Sequence, residues 1–326
     1  MESLSKIPIT YQAIQDIVHF HFGKRNYIKS LTELKEGFFN TAALIEMQDG
    51  YKCVIKAAPP ENIRVLRYER DILRAEVEVL KKVKMETEVP VPEVVVYDPT
   101  LQLLPSPFFI MENLEGIPLQ KIKSELKSDA QAEIHHQMGF FAWQLSRLTS
   151  DSYGYWAQPE IPGTSWRICF DKMLRGVIQN GIDMEVRISI TYDEILDLAH
   201  GYYSSLDEVT TPRLVHWDLW DGNVFVNQQK LLITGIIDFE RALWGDPLIE
   251  VIFMDLNPDN SCTKGFQEPV FTTQAQTQRR RLYNIYLLLI MVIECYYRRY
   301  PNQDQENWAR FELGKNLDAL KLEGSG

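Results

Sequence analysis

The chain has 326 residues, 45% of them hydrophobic, which is enough for a sizeable core in two globular units or one bilobal one. Forty-five acidic residues against 34 basic ones give a formal net charge of −11, which repels phosphate backbones and excludes nucleic acid as a main partner. The cysteines, Cys53, Cys169, Cys262 and Cys295, form no CxxC pair or Cys/His cluster, so a zinc site is not expected; they read as reduced thiols of a cytoplasmic protein, with a disulfide as the alternative.

Met1 to Thr10 is too polar for a signal peptide. Tyr11 to Phe22 has the spacing of a short amphipathic helix. Ile28 to Leu34, Thr41 to Met47 and Tyr51 to Ala57 read as strands, the last two joined by an Asp49-Gly50 hairpin turn. Ile63 to Val83 carries apolar residues at the helical period and is predicted to be a helix, ended by Val89-Pro90-Val91-Pro92. Val94 to Tyr97 and Phe108 to Met111 are short strands. Beyond Gly116 helices dominate, from Glu133 to Thr149 and from Phe170 to Tyr203, interrupted by β-like runs at Val224 to Val226 and Leu231 to Ile237. The longest apolar run, Ile285 to Ile293, is about half the length a membrane span needs and reads as a buried helix, so no membrane partner is expected. The pattern predicts an α+β fold in two lobes, a β-rich N-lobe over 1–113 and a helical C-lobe over 114–326.

The chemistry concentrates in Leu214-Val215-His216-Trp217-Asp218-Leu219-Trp220-Asp221-Gly222-Asn223, followed by Ile237-Asp238-Phe239-Glu240. The first piece matches the phosphoryl-transfer loop H-R-D-L-x-x-x-N except for Trp217, and the second matches D-F-G with Glu240 in place of glycine. Asp218 is the candidate catalytic base, orienting an acceptor hydroxyl and taking its proton. Asn223 and Asp238 offer the hard oxygens that Mg2+ ions on a nucleotide require, and the hairpin between them brings both to one end of a ribbon. His216 reads as a structural residue of the loop. Such residues are individually ordinary turn polars; two motifs in order, behind a β-rich lobe, favour the chemical reading.

A nucleotide site also needs a strand lysine and a helix glutamate to hold it. Lys56, in Cys53-Val54-Ile55-Lys56, fits the first; Glu69, Glu76 and Glu78 compete for the second, with Glu76 preferred. The turn Gly37-Phe38-Phe39-Asn40-Thr41 holds one glycine and offers Phe39 and its neighbours to a phosphate through backbone N–H groups. There is no G-x-x-x-x-G-K-[ST]. His135-His136 are adjacent on a predicted helix, point apart and are not a chelate.

These residues resemble the aminoglycoside phosphotransferase family, whose relatives include choline and fructosamine kinases; the resemblance runs over about residues 36–250 and is strongest from His216 to Glu250. It implies a protein-kinase-like two-lobed fold, ATP or GTP as donor and a small-molecule hydroxyl as acceptor. It also implies an adenine-binding hinge in which Met111 lines the pocket while Glu112 and Leu114 face the base. It makes Asp246, in Trp244-Gly245-Asp246-Pro247, a brace of the catalytic loop, with a helix N-cap as the simpler alternative. A protein kinase is disfavoured by the short stretch after Asp238, and a catalytically silent nucleotide-binding protein by the presence of Lys56, Asp218, Asn223 and Asp238. The family's acceptor-binding helices correspond to Gly181 to Glu208, where Asp183, Glu185, Asp193, Glu194, Asp197, Asp207 and Glu208 face one base, Arg187. That excess has two readings, a cationic acceptor (an amino sugar, amino alcohol or aminoglycoside) or a solvated helix face of an acidic protein. The oligomeric state is not set by the sequence.

Overall fold

Five antiparallel strands open the structure, a computed structural model that describes residues 10–34, 39–158, 165–300 and 302–323. They are β1 (Ile28–Leu34), β2 (Thr41–Met47), β3 (Lys52–Ala57), β4 (Val94–Asp98) and β5 (Phe108–Glu112), in the order β1-β2-β3-β5-β4. The turn between β2 and β3 forms as its residues require, with Gly50 at φ +90 and the Asp49 carboxylate accepting from the Tyr51 N–H at 2.9 Å. Helix α1 (Tyr11–Phe22) begins at Thr10, whose hydroxyl accepts from the Ala13 N–H. It packs Ile14, Ile17 and Val18 against Cys53, Ile55 and Ala57, one face of β3. The period-2 alternation then turns Val54 and Lys56 to the other face, where α2 (Ile72–Glu86) lies.

Helix α2 starts nine residues later than the apolar spacing predicts. Residues 63–71 hold only a short 3-10 turn, Arg67–Glu69, because these side chains engage the C-terminal region. Tertiary contacts here outweigh periodicity.

The helical region contains α3 (Leu119–Ile122), α4 (Ser128–Ser146), α5 (Trp166–Asp183), α6 (Tyr192–His200), α7 (Ser261–Gly265), α8 (Gln274–Arg298) and α9 (Asp304–Glu323). Two small sheets lie within it. One orders β10 (Leu232–Ile236), β9 (Val224–Asn227) and β6 (Ile117–Pro118); the other orders β7 (Gly154–Tyr155), β11 (Leu243–Gly245) and β8 (Arg213–Val215). The predicted strand at Leu231 starts one residue later, since Leu231 sits at φ +52 in the turn. The run Ile285 to Ile293 is buried within α8 apart from the half-buried Met291, and no helix among the described residues is long and apolar enough to cross a membrane. Helices α4 and α7 touch backbone to backbone: a Cβ on Gly139 would lie 1.9 Å from the Cys262 carbonyl oxygen, so only glycine fits. The four cysteines are free and buried.

Candidate active site

Lys56 leaves the α2 face of β3 and gathers three carboxylates. Its Nζ lies 2.6 Å from Glu76 Oε2 on α2, 2.5 Å from Asp238 Oδ1 and 3.1 Å from Glu240 Oε2. The competing glutamates are engaged elsewhere, Glu69 with Arg298 and Glu78 with Arg74. Asn40 donates to Glu240 at 2.5 Å, so the end of the loop before β2 joins the cluster; Gly37 and Phe38 of that loop lie outside the described residues. Phe39 packs with Ile72, Ala75 and Ala157 beneath the Arg298 guanidinium.

Three carboxylates around one ammonium leave an excess of negative charge. Burial acts against the charged lysine, but Asp238, Glu240 and Glu76 outweigh it and hold Lys56 well above its usual range. Burial raises Glu76 and Glu240, whereas at Asp238 the ammonium overcomes burial and the carboxyl stays below its usual value. Oxygens of Glu76, Asp238 and Glu240 all lie within 4.8 Å of one another, a donor set suited to a hard divalent cation.

The hairpin of β9 and β10 pairs Val224 with Ile236 and so sets Asn223 beside Asp238, whose preceding residue, Ile237, donates its N–H to the Asn223 carbonyl at 3.0 Å. Asn223 spends Nδ2 on Asp218, donating to its carbonyl at 2.9 Å and its carboxylate at 3.3 Å, which leaves Oδ1 as the ligand-type oxygen. His216 is fully buried. The Asp218 N–H donates to its Nδ1 at 3.1 Å, so Nε2 carries the proton and donates to the Ile237 carbonyl at 2.9 Å. Burial lowers its pKa, in keeping with this neutral tautomer.

Trp217 takes the left-handed conformation at φ +67, which costs about 1–3 kcal/mol for such a residue. Two features hold it there. Its indole is fully buried and stacks on Tyr286 at 5.6 Å, and the Glu250 carboxylate accepts from the N–H groups of Trp217 at 2.8 Å and Leu219 at 3.0 Å. Glu250 is therefore the brace of the loop. Asp246, expected in that role, instead caps Leu248 N–H at 3.1 Å and pairs with Arg279 and Tyr283, each at 2.8 Å. It anchors the 3-10 turn Pro247–Ile249 that leads into Glu250, because the Gly-Asp-Pro turn carries its carboxylate toward α8 rather than toward residues 216–223.

Sequence reasoning also missed Arg241. Its guanidinium lies over the Tyr68 and Trp217 rings at 5.7 and 5.9 Å and acts electrostatically on Asp218. Loss of hydration pushes Asp218 up to about 6, with Asp238 adding to the shift and Arg241 and Asn223 opposing it. The one local signal for Glu240 was its replacement of glycine in the D-F-G pattern; Arg241 and Glu250 carried none. At the hinge, Met111 is buried opposite Val54, Glu112 is exposed and Leu114 packs on Gly235.

The acidic stretch from Gly181 to Glu208 does not behave as its charge count predicts. Asp183 pairs with Arg67 at 2.7 Å, Glu194 closes the capping box of α6 with Thr191, Asp207 pairs with Arg167, and Glu208 pairs with Arg279 at 2.8 Å. Four of the seven carboxylates are committed to caps and packing, so the attraction for a cation is smaller than the count implies.

Residues 30–254 match the profile of the phosphotransferase enzyme family, APH. A probable ketoamine kinase of Vibrio vulnificus is 25% identical over 225 residues, covering 66% of this chain and 72% of its own. A thermostable mutant of the aminoglycoside phosphotransferase APH(4)-Ia superposes with a TM-score of 0.68 at 19% identity, covering 94% of this chain and 98% of that one. A ternary complex of such a mutant with AMP-PNP and hygromycin B gives 0.66 at 19% identity, with the same coverage. The fold is protein-kinase-like, and the chain belongs to the phosphotransferase enzyme family.

Proposed function

We propose that the chain is a cytoplasmic small-molecule kinase that moves the γ-phosphate of ATP or GTP onto an acceptor hydroxyl. The observation that carries this reading is the bridge made by Lys56, within bonding distance of both Glu76 from the N-terminal sheet region and Asp238 beside the catalytic loop. Phosphoryl transfer depends mainly on positioning and on neutralising charge, and these are the groups it needs. In this reading Lys56 holds the α- and β-phosphates, Asp238 and Asn223 hold Mg2+ with Glu240 as a further oxygen, and Met111, Glu112 and Leu114 receive the base. Phe39 and its neighbours border the phosphates. Residues 1–113 form the nucleotide lobe and 114–326 the catalytic lobe. Mg2+ held by Asp238 and Asn223 would neutralise phosphate charge. Asp218 orients the acceptor O–H and takes its proton; His216 and Glu250 fix the backbone that aims it.

A protein-kinase reading is disfavoured by the segment after Asp238. It runs through the 3-10 turn Phe239–Arg241 straight into β11, which is paired on both sides, leaving no loop to receive an extended peptide. The nucleotide analogue and hygromycin B bound in the APH(4)-Ia complex support a nucleotide donor and a small-molecule acceptor.

The test is acceptor-dependent ADP or GDP release by the purified protein with Mg2+, across panels of aminoglycosides, amino sugars, choline-like alcohols and ketosamines. Asp218→Asn is expected to lower turnover by about 10²–10⁴-fold while nucleotide affinity holds. Tight nucleotide binding with no acceptor-dependent release, in wild type and variant alike, would point to a silent nucleotide-binding protein.

A further inference from the structure

Glu250, the brace of the catalytic loop, stands at a weak point of the backbone. It joins two three-residue 3-10 turns, Pro247–Ile249 and Val251–Phe253, and itself takes φ −57 and ψ 140, outside either turn. Short 3-10 turns have poor hydrogen-bond geometry and hold their own orientation weakly. The Glu250 carboxylate nonetheless meets the N–H groups of Trp217 and Leu219 at 2.8 and 3.0 Å. The support for that aim comes from outside the segment, from α8.

Arg280 of α8 is fully buried, and its Nη1 donates to the carbonyls of Leu248 at 2.6 Å and Glu250 at 2.7 Å, one on each side of Ile249. Asn284, one turn along α8, accepts from Arg280 Nε at 2.9 Å, which fixes the plane of the guanidinium. The Asn284 Nδ2 donates to the Met254 carbonyl at 2.9 Å. These two side chains clasp the segment at its middle and its far end, while Arg279 holds the near end through Asp246. The partners of Arg280 are two carbonyls and an amide, and its Nη2 has none among the described residues. Burial lowers its pKa to about 10, with Tyr283 and Glu250 opposing, so it stays a cation at neutral pH. An apolar side chain of the same length would pack at lower cost. It could not donate to two converging carbonyls or offset the charge of the buried Glu250.

We propose that Arg280 is a positioning residue for phosphoryl transfer: it holds the Glu250 backbone so that the carboxylate keeps Trp217 left-handed and Asp218 aimed at the acceptor hydroxyl. The proposal rests on the phosphotransferase reading above. Arg280 is buried and meets neither nucleotide nor acceptor. Its influence passes from the Leu248 and Glu250 carbonyls to the Glu250 carboxylate, and from there to the N–H groups on either side of Asp218.

The test is amide hydrogen exchange at Trp217 and Leu219 in the full chain, resolved by NMR, with affinity for ATP and Mg2+ and turnover measured on the same samples. Arg280→Met keeps much of the side-chain length and removes the donors and the charge. It is expected to speed exchange at these two amides by about tenfold or more, the loss of one hydrogen bond to a charged group. It should also lower kcat while ATP affinity holds within about twofold. Arg280→Lys, whose ammonium can reach one of the two carbonyls, should recover part of both effects; if Arg280→Met does not fold, Arg280→Lys against wild type decides in its place. Leu317→Ala, a core change on α9, is the control for plain instability and should leave the two amides as they are. In a Glu250→Gln background Arg280→Met should add little to either readout, because it acts through that residue. The proposal is overturned if the two amides exchange at the wild-type rate in the Arg280 variants, if Leu317→Ala speeds them equally, or if the effects of Arg280→Met and Glu250→Gln on kcat multiply. Failure of the wider reading looks different, because wild type itself then turns over no nucleotide with any acceptor, whatever the exchange rates.

Discussion

Asp218 sits between opposing influences. Loss of hydration pushes its carboxyl up to about 6 from the ordinary 3.8, while the Arg241 guanidinium and the Asn223 amide favour the charged form. The ionised form is the one that accepts a proton. Activity through this base therefore rises with pH and is lost as pH falls through the raised value, so the acid limb of kcat/KM in the free enzyme is expected near pH 6, about two units above an ordinary aspartate. Arg241→Met keeps much of the side-chain length and removes the opposing charge, which should move that limb to still higher pH. A limb near pH 4 that ignores Arg241→Met would remove Asp218 as the titrating base. Asp218, Asn223 and Asp238 were legible in the sequence because their spacing is local, and the structure brings them together on one loop and one hairpin. Arg241 was not legible: its role comes from lying over Tyr68 and Trp217, and Tyr68 is 173 positions away in the chain.

At the scale of elements, β2 follows its sequence pattern by burying alternate residues, and the Asp49-Gly50 turn fixes its register with β3. The start of α2 failed for the opposite reason. Ile63 to Asp71 carries helix-like spacing, yet Arg67 and Glu69 find partners on α5 and α8 that a helix would carry away. The catalytic loop shows the same limit. Its backbone includes a left-handed Trp217, and the carboxylate that holds it comes from Glu250, 33 residues on. Nothing at position 250 announces this in sequence, whereas Asp246 stood in a recognisable turn and was given the role. The assignment predicts the effect of Glu250→Gln. An amide replaces one of the two oxygens that accept from Trp217, Leu219 and Val251, so an N–H2 must face an N–H. Hydrogen bonds to a charged group contribute about 1.5–3 kcal/mol, and stability should fall by about that much, read from urea unfolding. With the loop released from its strained geometry, kcat should drop further than nucleotide affinity does. Wild-type stability and kcat in Glu250→Gln would return the brace to some other residue.

Across the whole molecule, several contacts among the described residues tie the N-terminal sheet region to the helical region, such as Arg67 with Asn180 and Trp156 with Glu78, and two further sets are built on clustered charge. One lies in the candidate nucleotide cleft, where Lys56 meets Asp238 and Asn40 meets Glu240. These groups are the ones proposed to exchange partners when nucleotide and cation enter, so they contribute to the free protein without fixing it. The other set centres on Arg298. Arg298, at the end of α8, pairs with Glu69 before α2 and with Glu294 at 3.3 Å, and its guanidinium also covers Phe39. Glu294 in turn meets Arg241 at 3.4 Å, so this buried chain of charges runs from the 3-10 turn before α2 to the turn Phe239–Arg241, whose Arg241 lies over Trp217 of the catalytic loop. A buried pair adds little over a well-packed apolar substitute, but breaking one by removing a single partner is costly, about 3–5 kcal/mol, because the other charge stays buried. Arg298→Met does this to Glu69, and leaves Glu294 with Arg241 as its remaining ion pair, while keeping most of the side-chain volume. It should lower Tm by roughly 4–7 °C for a chain of this size, with loosening read first as faster hydrogen exchange at residues 66–71. Adding Glu69→Gln removes one stranded charge and should restore part of the loss, a rescue that a simple packing defect at Arg298 would not give. If the double variant is no more stable than Arg298→Met alone, the pair is not what joins the two regions.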